Sequence, residues 1–342
     1  MKKRWARYSV ILAVTAVFLF FFFRGMNWRE VLRHLADVNV PIFILSIFLA
    51  PLHLLTRSIR WRYLMVHEKP SVTIANMFCA NAVGFGVTSV FPGRIGELVR
   101  PLYLAQKERC RKGFAMGTIV VERMFDMFTM CFLLGVFLIA EPLYVSSFRV
   151  SAEAHANLRL WGIVGLGFAS GLLLLSLALY FFRDKTVKAI GFFVRPLPEK
   201  LSRKILELLN DFIEGLKFFH DVKTLVLYTL FSFVVWLGII FFYWVFFLSF
   251  RISFPYFKLF PYVFLTMVGA SIPTPGMVGG FDYFSRLGLT QLYGLDLNLA
   301  MGVTIVVHAI QVLMTVLIGY AIVWKDGTSI FQLRKLGEDQ QP

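Results

Sequence analysis

Cysteine is scarce in this chain: Cys79, Cys110 and Cys131 are the only three in 342 residues, and none stands at a paired spacing. That excludes a disulfide framework and a cysteine-built zinc site. No Walker signature is present, so ATP coupling within the chain is not expected. No metal-ligand or nucleotide-binding pattern calls for a metal or a cofactor either. Acidic residues are few, 20 Asp and Glu against 35 Lys and Arg, which leaves a formal net charge of +15. Charge of either sign is missing from Leu225 to Phe250, a run that a soluble domain would have to bury on every side. No small-residue cleavage site follows Phe20 to Phe23, so the first apolar run, Ser9 to Phe23 behind Lys2, Lys3, Arg4 and Arg7, is a retained span and not a removed signal.

What is abundant is apolar. Fully 58% of residues are hydrophobic, 38 are Phe and the mean hydropathy is +0.71, more than a soluble domain of this length can hide. The pattern predicts an all-α, polytopic integral membrane protein with six spans near 8–24, 41–57, 114–140, 159–182, 222–250 and 297–324. Two segments between spans, 71–106 and 259–293, are each long enough for two half-helices around a central break, and read as re-entrant hairpins. As one membrane domain over 1–342, the chain divides into a first half (1–140), a connection with the fourth span (141–198), a linker (199–220) and a second half (221–342). Of the 35 Lys and Arg, 26 fall in segments on one side of this topology and 8 on the other, with Arg123 inside a span. By the positive-inside rule both termini face the cytoplasm. The same distribution assigns the basic surplus to the membrane surface, with no nucleic-acid partner. The hairpins then enter from opposite sides and their breaks approach each other near the middle, the layout an inverted repeat would give.

Three polar motifs interrupt the apolar background. In FPGRIGELVRP, Phe91 to Pro101, Pro92 and Gly93 permit a break, and the helix that follows begins with unpaired N–H groups beside Arg94 and Arg100. Glu97 stands three residues after Arg94 and can pair with it. An anion site and a plain helix start with a surface ion pair both fit. In SIPTPGMVGGFD, Pro273 and Pro275 forbid a regular helix, and Gly276, Gly279 and Gly280 permit close backbone approach. Asp282 follows, with an arginine of the first hairpin or a cationic part of a substrate as its expected partner. The third motif places Glu122, Arg123 and Asp126 on one helix, where charges must face the protein interior because exposure to hydrocarbon costs about 2.5 kcal/mol or more each. A structural salt-bridge network and direct ligand contact both fit it.

Other features read as structural. Arg57, Arg60 and Arg62, with Trp61 and Tyr63, end the second span as interface anchors. His308 and Gln311 read as packing within the last span. From Glu199 to His220, apolar residues recur at helical spacing opposite Lys200, Arg203, Lys204 and Lys217, giving an amphipathic helix for the membrane surface.

Together FPGRIGELVR, VERMFD and PTPGMVGG resemble the transmembrane flippase-like domain of the lysylphosphatidylglycerol synthetase family. The likeness runs from the first span to the last. The family's Pro-x-Arg-x-Gly-Glu pattern falls on Pro92, Arg94, Gly96 and Glu97, with the one residue Gly93 between Pro and Arg, and its following arginine on Arg100. Its Glu-Arg-x-x-Asp falls on Glu122, Arg123 and Asp126. Its Pro-x-Pro-Gly-Gly-x-Gly-x-x-Glu falls on Pro273, Pro275, Gly276, Gly279 and Asp282, with Met277 where a second glycine is usual and Asp282 in place of Glu. The resemblance implies the membrane portion without the aminoacyl-transferase domain, and movement of a lipid or lipid-linked headgroup between leaflets of the cell membrane. An integral membrane transferase acting on a polyprenyl- or phospholipid-linked substrate is the alternative. The implied partner is a membrane lipid or lipid-linked glycan; a homo-oligomer and an envelope-biosynthesis partner both remain open.

Overall fold

Among the described residues, long uncharged stretches form helix, the one local structure that satisfies every backbone polar group without water. The computed structural model describes residues 2–140, 182–194 and 221–327, with isolated positions between 160 and 213, and among these residues there is no strand. The helices are α1 (Lys2–Phe23), α2 (Trp28–Ala36), α3 (Val40–Leu49), α4 (Leu52–Met65), α5 (Ile74–Val90), α6 (Gly96–Glu108) and α7 (Lys112–Ala140). They continue as α8 (Arg183–Val194), α9 (Val222–Ser249), α10 (Phe260–Ala270), α11 (Gly280–Leu287) and α12 (Leu297–Lys325). The connection before the expected fourth span lies outside the described residues, as do most positions of that span at 159–182 and of the amphipathic helix at 199–220. Among the described residues, four stretches are long and apolar enough to cross a membrane: Val40–Met65, Lys112–Ala140, Val222–Ser249 and Leu297–Lys325. The chain is an all-α integral membrane protein.

One boundary departs from expectation, and the departure matters. The second span does not stop near residue 57: α3 and α4 form one 26-residue span, Val40–Met65, bent where Pro51 interrupts the backbone ladder. Arg57 and Arg60 therefore sit inside it, buried, and not at its rim as interface anchors. The short α2 is a second addition; it lays Val31 and Leu35 against Gly302 of α12.

In the two segments expected to form hairpins, α5 packs against α6 and α10 against α11 as helix–turn–helix pairs. Between spans in hydrocarbon there is little hydrophobic drive, so close packing of small residues holds helices together. In the first pair Gly84 meets Gly96, where an added Cβ on Gly96 would lie 1.9 Å from the Gly84 carbonyl oxygen. In the second, Gly269 meets Gly280, with the corresponding approach at 2.5 Å. The pairs are also cross-braced. The last span, α12, runs along α5 through Gly319 and Gly86, while α7, which follows the first pair, packs on α10 of the second.

Candidate functional site

The first break is a single 3₁₀ turn, Pro92–Arg94, between α5 and α6. Gly93 has φ 80° and Arg94 has φ 55°. A left-handed backbone costs a residue with a Cβ about 1–2 kcal/mol, so the turn holds Arg94 against its local preference. Its guanidinium lies 3.0 Å from Glu97, and both side chains remain partly exposed. Ile95, at the N-cap of α6, supplies no side-chain oxygen to its first N–H groups.

Behind this rim lies a buried ionic cluster drawn from four helices. Glu122 and Asp126 are one turn apart on α7, and Arg57 and Arg60 one turn apart on α4 face them. Arg57 Nη1 reaches Asp126 Oδ2 at 3.1 Å and Glu122 Oε1 at 3.4 Å. Arg60 Nη1 reaches Asp126 Oδ1 at 2.7 Å, and its Nη2 lies 3.3 Å from Glu122 Oε1. From α6, Arg100 grips Glu122 with both terminal nitrogens, one at 2.9 Å. Arg123 bridges Glu122 at 2.8 Å and Asp126 at 3.3 Å, and touches Glu97 at 3.9 Å, so rim and interior form one network. The indole of Trp236 on α9 donates to Asp126 at 3.0 Å, and Arg100 stacks 4.2 Å from the Trp61 ring centre.

Charge does not balance here. Arg57, Arg60, Arg100 and Arg123 bring four positive charges to two carboxylates, and the Arg94–Glu97 pair adds nothing net. Arg123 is one-third exposed, so the fully buried part of the excess is one guanidinium, and burying one ion costs several kcal/mol unless a further anion matches it. The Nε of Arg57, Arg60, Arg94, Arg100 and Arg123, and Nη2 of Arg60, are buried donors without a hydrogen-bond acceptor. Guanidinium forks match phosphate and carboxylate geometry, and this arrangement can hold an oxyanion that arrives past Arg94 and Arg123.

The second break is built on the same turn. Pro275–Met277 is a 3₁₀ turn with φ 59° at Gly276 and 61° at Met277. The strain at Met277 gives a physical reason why glycine suits that place. Gly279 and Gly280 open α11, and Asp282 Oδ2 accepts from the Gly279 N–H at 2.8 Å. Here the expected partner of Asp282 gives way to another: no arginine of the first hairpin pairs with it, and His308 of α12 does. His308 Nδ1 lies 2.6 Å from Asp282 Oδ1, and Nε2 lies 2.8 Å from the Gly276 carbonyl oxygen. A lone histidine in an apolar span carries no signal of this; the pairing depends on α12 crossing the second hairpin. Gln311, one turn on, donates to Tyr243 at 3.0 Å.

The breaks touch. The Gly93 N–H donates to the carbonyl oxygen of Pro273 at 3.3 Å, and Gly276 sits so close to Ser89 that a Cβ would lie 2.9 Å from its carbonyl oxygen. The structure thus gathers Pro92, Gly93, Arg94, Glu97, Arg100, Glu122, Arg123 and Asp126 around one charged centre. Pro273, Pro275, Gly276, Gly279, Gly280 and Asp282 form a separate centre that meets the first at these backbone contacts.

Residues 8–319 match the family described as the lysylphosphatidylglycerol synthase TM region, and the chain belongs to that family. A UPF0104 membrane protein of Methanocaldococcus jannaschii is 25% identical over 231 residues. That match covers 65% of this chain and 66% of the relative, slightly less than two thirds of its length. No solved structure matches the chain significantly. Family membership carries a membrane lipid-related role.

Proposed function

We propose that this member of the family moves a lipid or lipid-linked anionic headgroup between the leaflets of the cell membrane. The observation that carries the reading is the buried surplus of guanidinium over carboxylate behind the first break, continuous with the half-exposed Arg94 and Arg123. A headgroup phosphate brings the missing negative charge and accepts from the unpaired donors, while its acyl or prenyl chains stay in lipid. Glu97 holds Arg94 until the phosphate replaces it. The contact between Gly93 and Pro273 closes the route beyond, so passage requires the two breaks to part. The 26-to-8 division of Lys and Arg supports a topology with both termini, and the mouth of the first hairpin, on the cytoplasmic side.

The transferase reading has less support. Glu122 and Asp126 are each held by three or more guanidinia, which suits a fixed countercharge better than a general base. The test is leaflet exchange of fluorescent anionic and zwitterionic lipids in vesicles containing the purified protein. Exchange of anionic lipids that falls about tenfold in Arg94→Ala and recovers partly in Arg94→Lys supports the reading, since loss of one charge-assisted hydrogen bond is worth roughly 1.5–3 kcal/mol. Equal exchange by wild type and Arg94→Ala rejects a headgroup site at Arg94.

A further inference from the structure

The Asp282–His308 pair has a property that its surroundings define. Both ring nitrogens of His308 face oxygens, a carboxylate at 2.6 Å and a backbone carbonyl at 2.8 Å. A carbonyl cannot donate, so Nε2 must carry a proton to make that bond. The Nδ1 contact then needs its own proton, on the ring or on the carboxyl. In either arrangement the pair holds one proton more than a neutral imidazole beside an ionised carboxylate. Remove that proton and one of the two contacts becomes lone pair against lone pair.

Those contacts join three pieces of the fold. Nε2 fastens α12 to Gly276, in the turn of the second break, and Nδ1 fastens it to Asp282, whose other oxygen caps the start of α11 through Gly279. Gly276 rests on Ser89 of the first hairpin, and Pro273, three residues earlier, accepts from Gly93. Other titratable and charged groups nearby are engaged elsewhere. Tyr262 of α10 pairs with Ser285 at 2.8 Å, Tyr243 of α9 with Gln311 at 3.0 Å, and Arg286 of α11 reaches the Phe22 carbonyl at 3.3 Å beside the Tyr283 ring. Arg94, across the contact, is paired with Glu97 at 3.0 Å. The segments α1 and α5 approach the turn through Phe18 and Ser89, which are uncharged. His308 and Asp282 are themselves buried, at 6% and 5% exposure, so the proton is held away from bulk water.

We propose that Asp282 and His308 form a proton-binding site that latches the second break against the first. With the proton bound, both His308 contacts are made and the breaks stay in register. When it leaves to water, the Gly276 or the Asp282 contact fails and the turn is free to move off Ser89 and Gly93. If the protein is the lipid carrier proposed above, the proton is its coupling ion; the latch itself does not depend on the identity of the cargo.

The test needs no lipid substrate. The full-length protein, with Cys79, Cys110 and Cys131 replaced by serine, carries nitroxide labels at Val90→Cys and Ser271→Cys, both exposed and flanking the two breaks. Dipolar broadening between them is followed in lipid nanodiscs from pH 5 to pH 9. Broadening strong at low pH and lost as pH rises is expected for the wild-type latch. Asp282→Asn supplies an amide that donates to Nδ1 while the ring keeps Nε2–H on Gly276, so broadening should persist across the whole range. Broadening unchanged with pH in the wild type makes the pair a static bridge and overturns the proposal, as does loss with the same midpoint in Asp282→Asn. Lipid exchange is read separately, so a latch without transport, or transport without a latch, would each be recognised.

Discussion

The two hairpins share a backbone and differ in what locks it. Each has Pro-Gly followed by a non-glycine residue in a left-handed conformation, Arg94 in one and Met277 in the other, and each closes its arms on a glycine pair. Around the first, the next span brings carboxylates and an earlier span brings arginines, so the break is set in a charged cluster with cationic excess. Around the second, the last span brings one histidine to one aspartate. The same turn thus frames a cation-rich ionic cluster in one half and a single histidine–aspartate pair in the other. What the geometry of a break permits is decided by the spans that cross it.

Charge should be the dominant lock of the first hairpin. Glu122→Gln leaves Arg100, Arg60 and Arg123 without their common partner, and loss of one member of a buried ion pair costs about 3–5 kcal/mol. Collapse of the thermal midpoint in detergent, or loss of folded protein on size exclusion, checks this. An unaltered midpoint would mean the cluster is hydrated and its charge balance irrelevant. Backbone contact is the lock the hairpins share, and Gly96→Ala should destabilise by about 1–3 kcal/mol or more, exceeding Gly280→Ala, because the approach is 1.9 Å in the first pair and 2.5 Å in the second. A reversed order of thermal midpoints would break the comparison.

Much of this was readable in the residues, and what was not had a physical cause. Long uncharged runs gave the helices, and Pro-Gly in an apolar setting gave both breaks to within a few residues. Arg94, Glu97, Arg100, Glu122, Arg123 and Asp126 stood out because charge at such depth is expensive. Arg57 and Arg60 were concealed by their flanks: Trp61 and Tyr63 beside several arginines look like a membrane rim, and only the continuation of α4 to Met65 moves them inside. His308 was concealed because its partner is 26 residues away across a helix crossing. Asp282 was legible as a buried carboxylate in need of a countercharge, but which cation would supply it depends on packing that no local pattern encodes.

The smallest expected effect concerns the turns themselves. Met277→Gly removes a left-handed Cβ and should raise stability by roughly 1 kcal/mol, less the entropy that glycine adds to the unfolded chain. Arg94→Gly relieves the same strain in the first turn but removes the rim cation, so its thermal midpoint should hold or rise while exchange of anionic lipid falls. If both substitutions lower the midpoint equally, side-chain packing and not backbone strain governs these positions.

The account stands or falls on where a headgroup sits. A density map of the protein in nanodiscs rich in anionic lipid should show a phosphate-sized feature within hydrogen-bonding distance of Arg94 and Arg123, continuous with an acyl or prenyl tail in the surrounding lipid. Headgroup density confined to the membrane rim, with the Arg57, Arg60, Arg100 and Arg123 guanidinia satisfied by water alone, would contradict it.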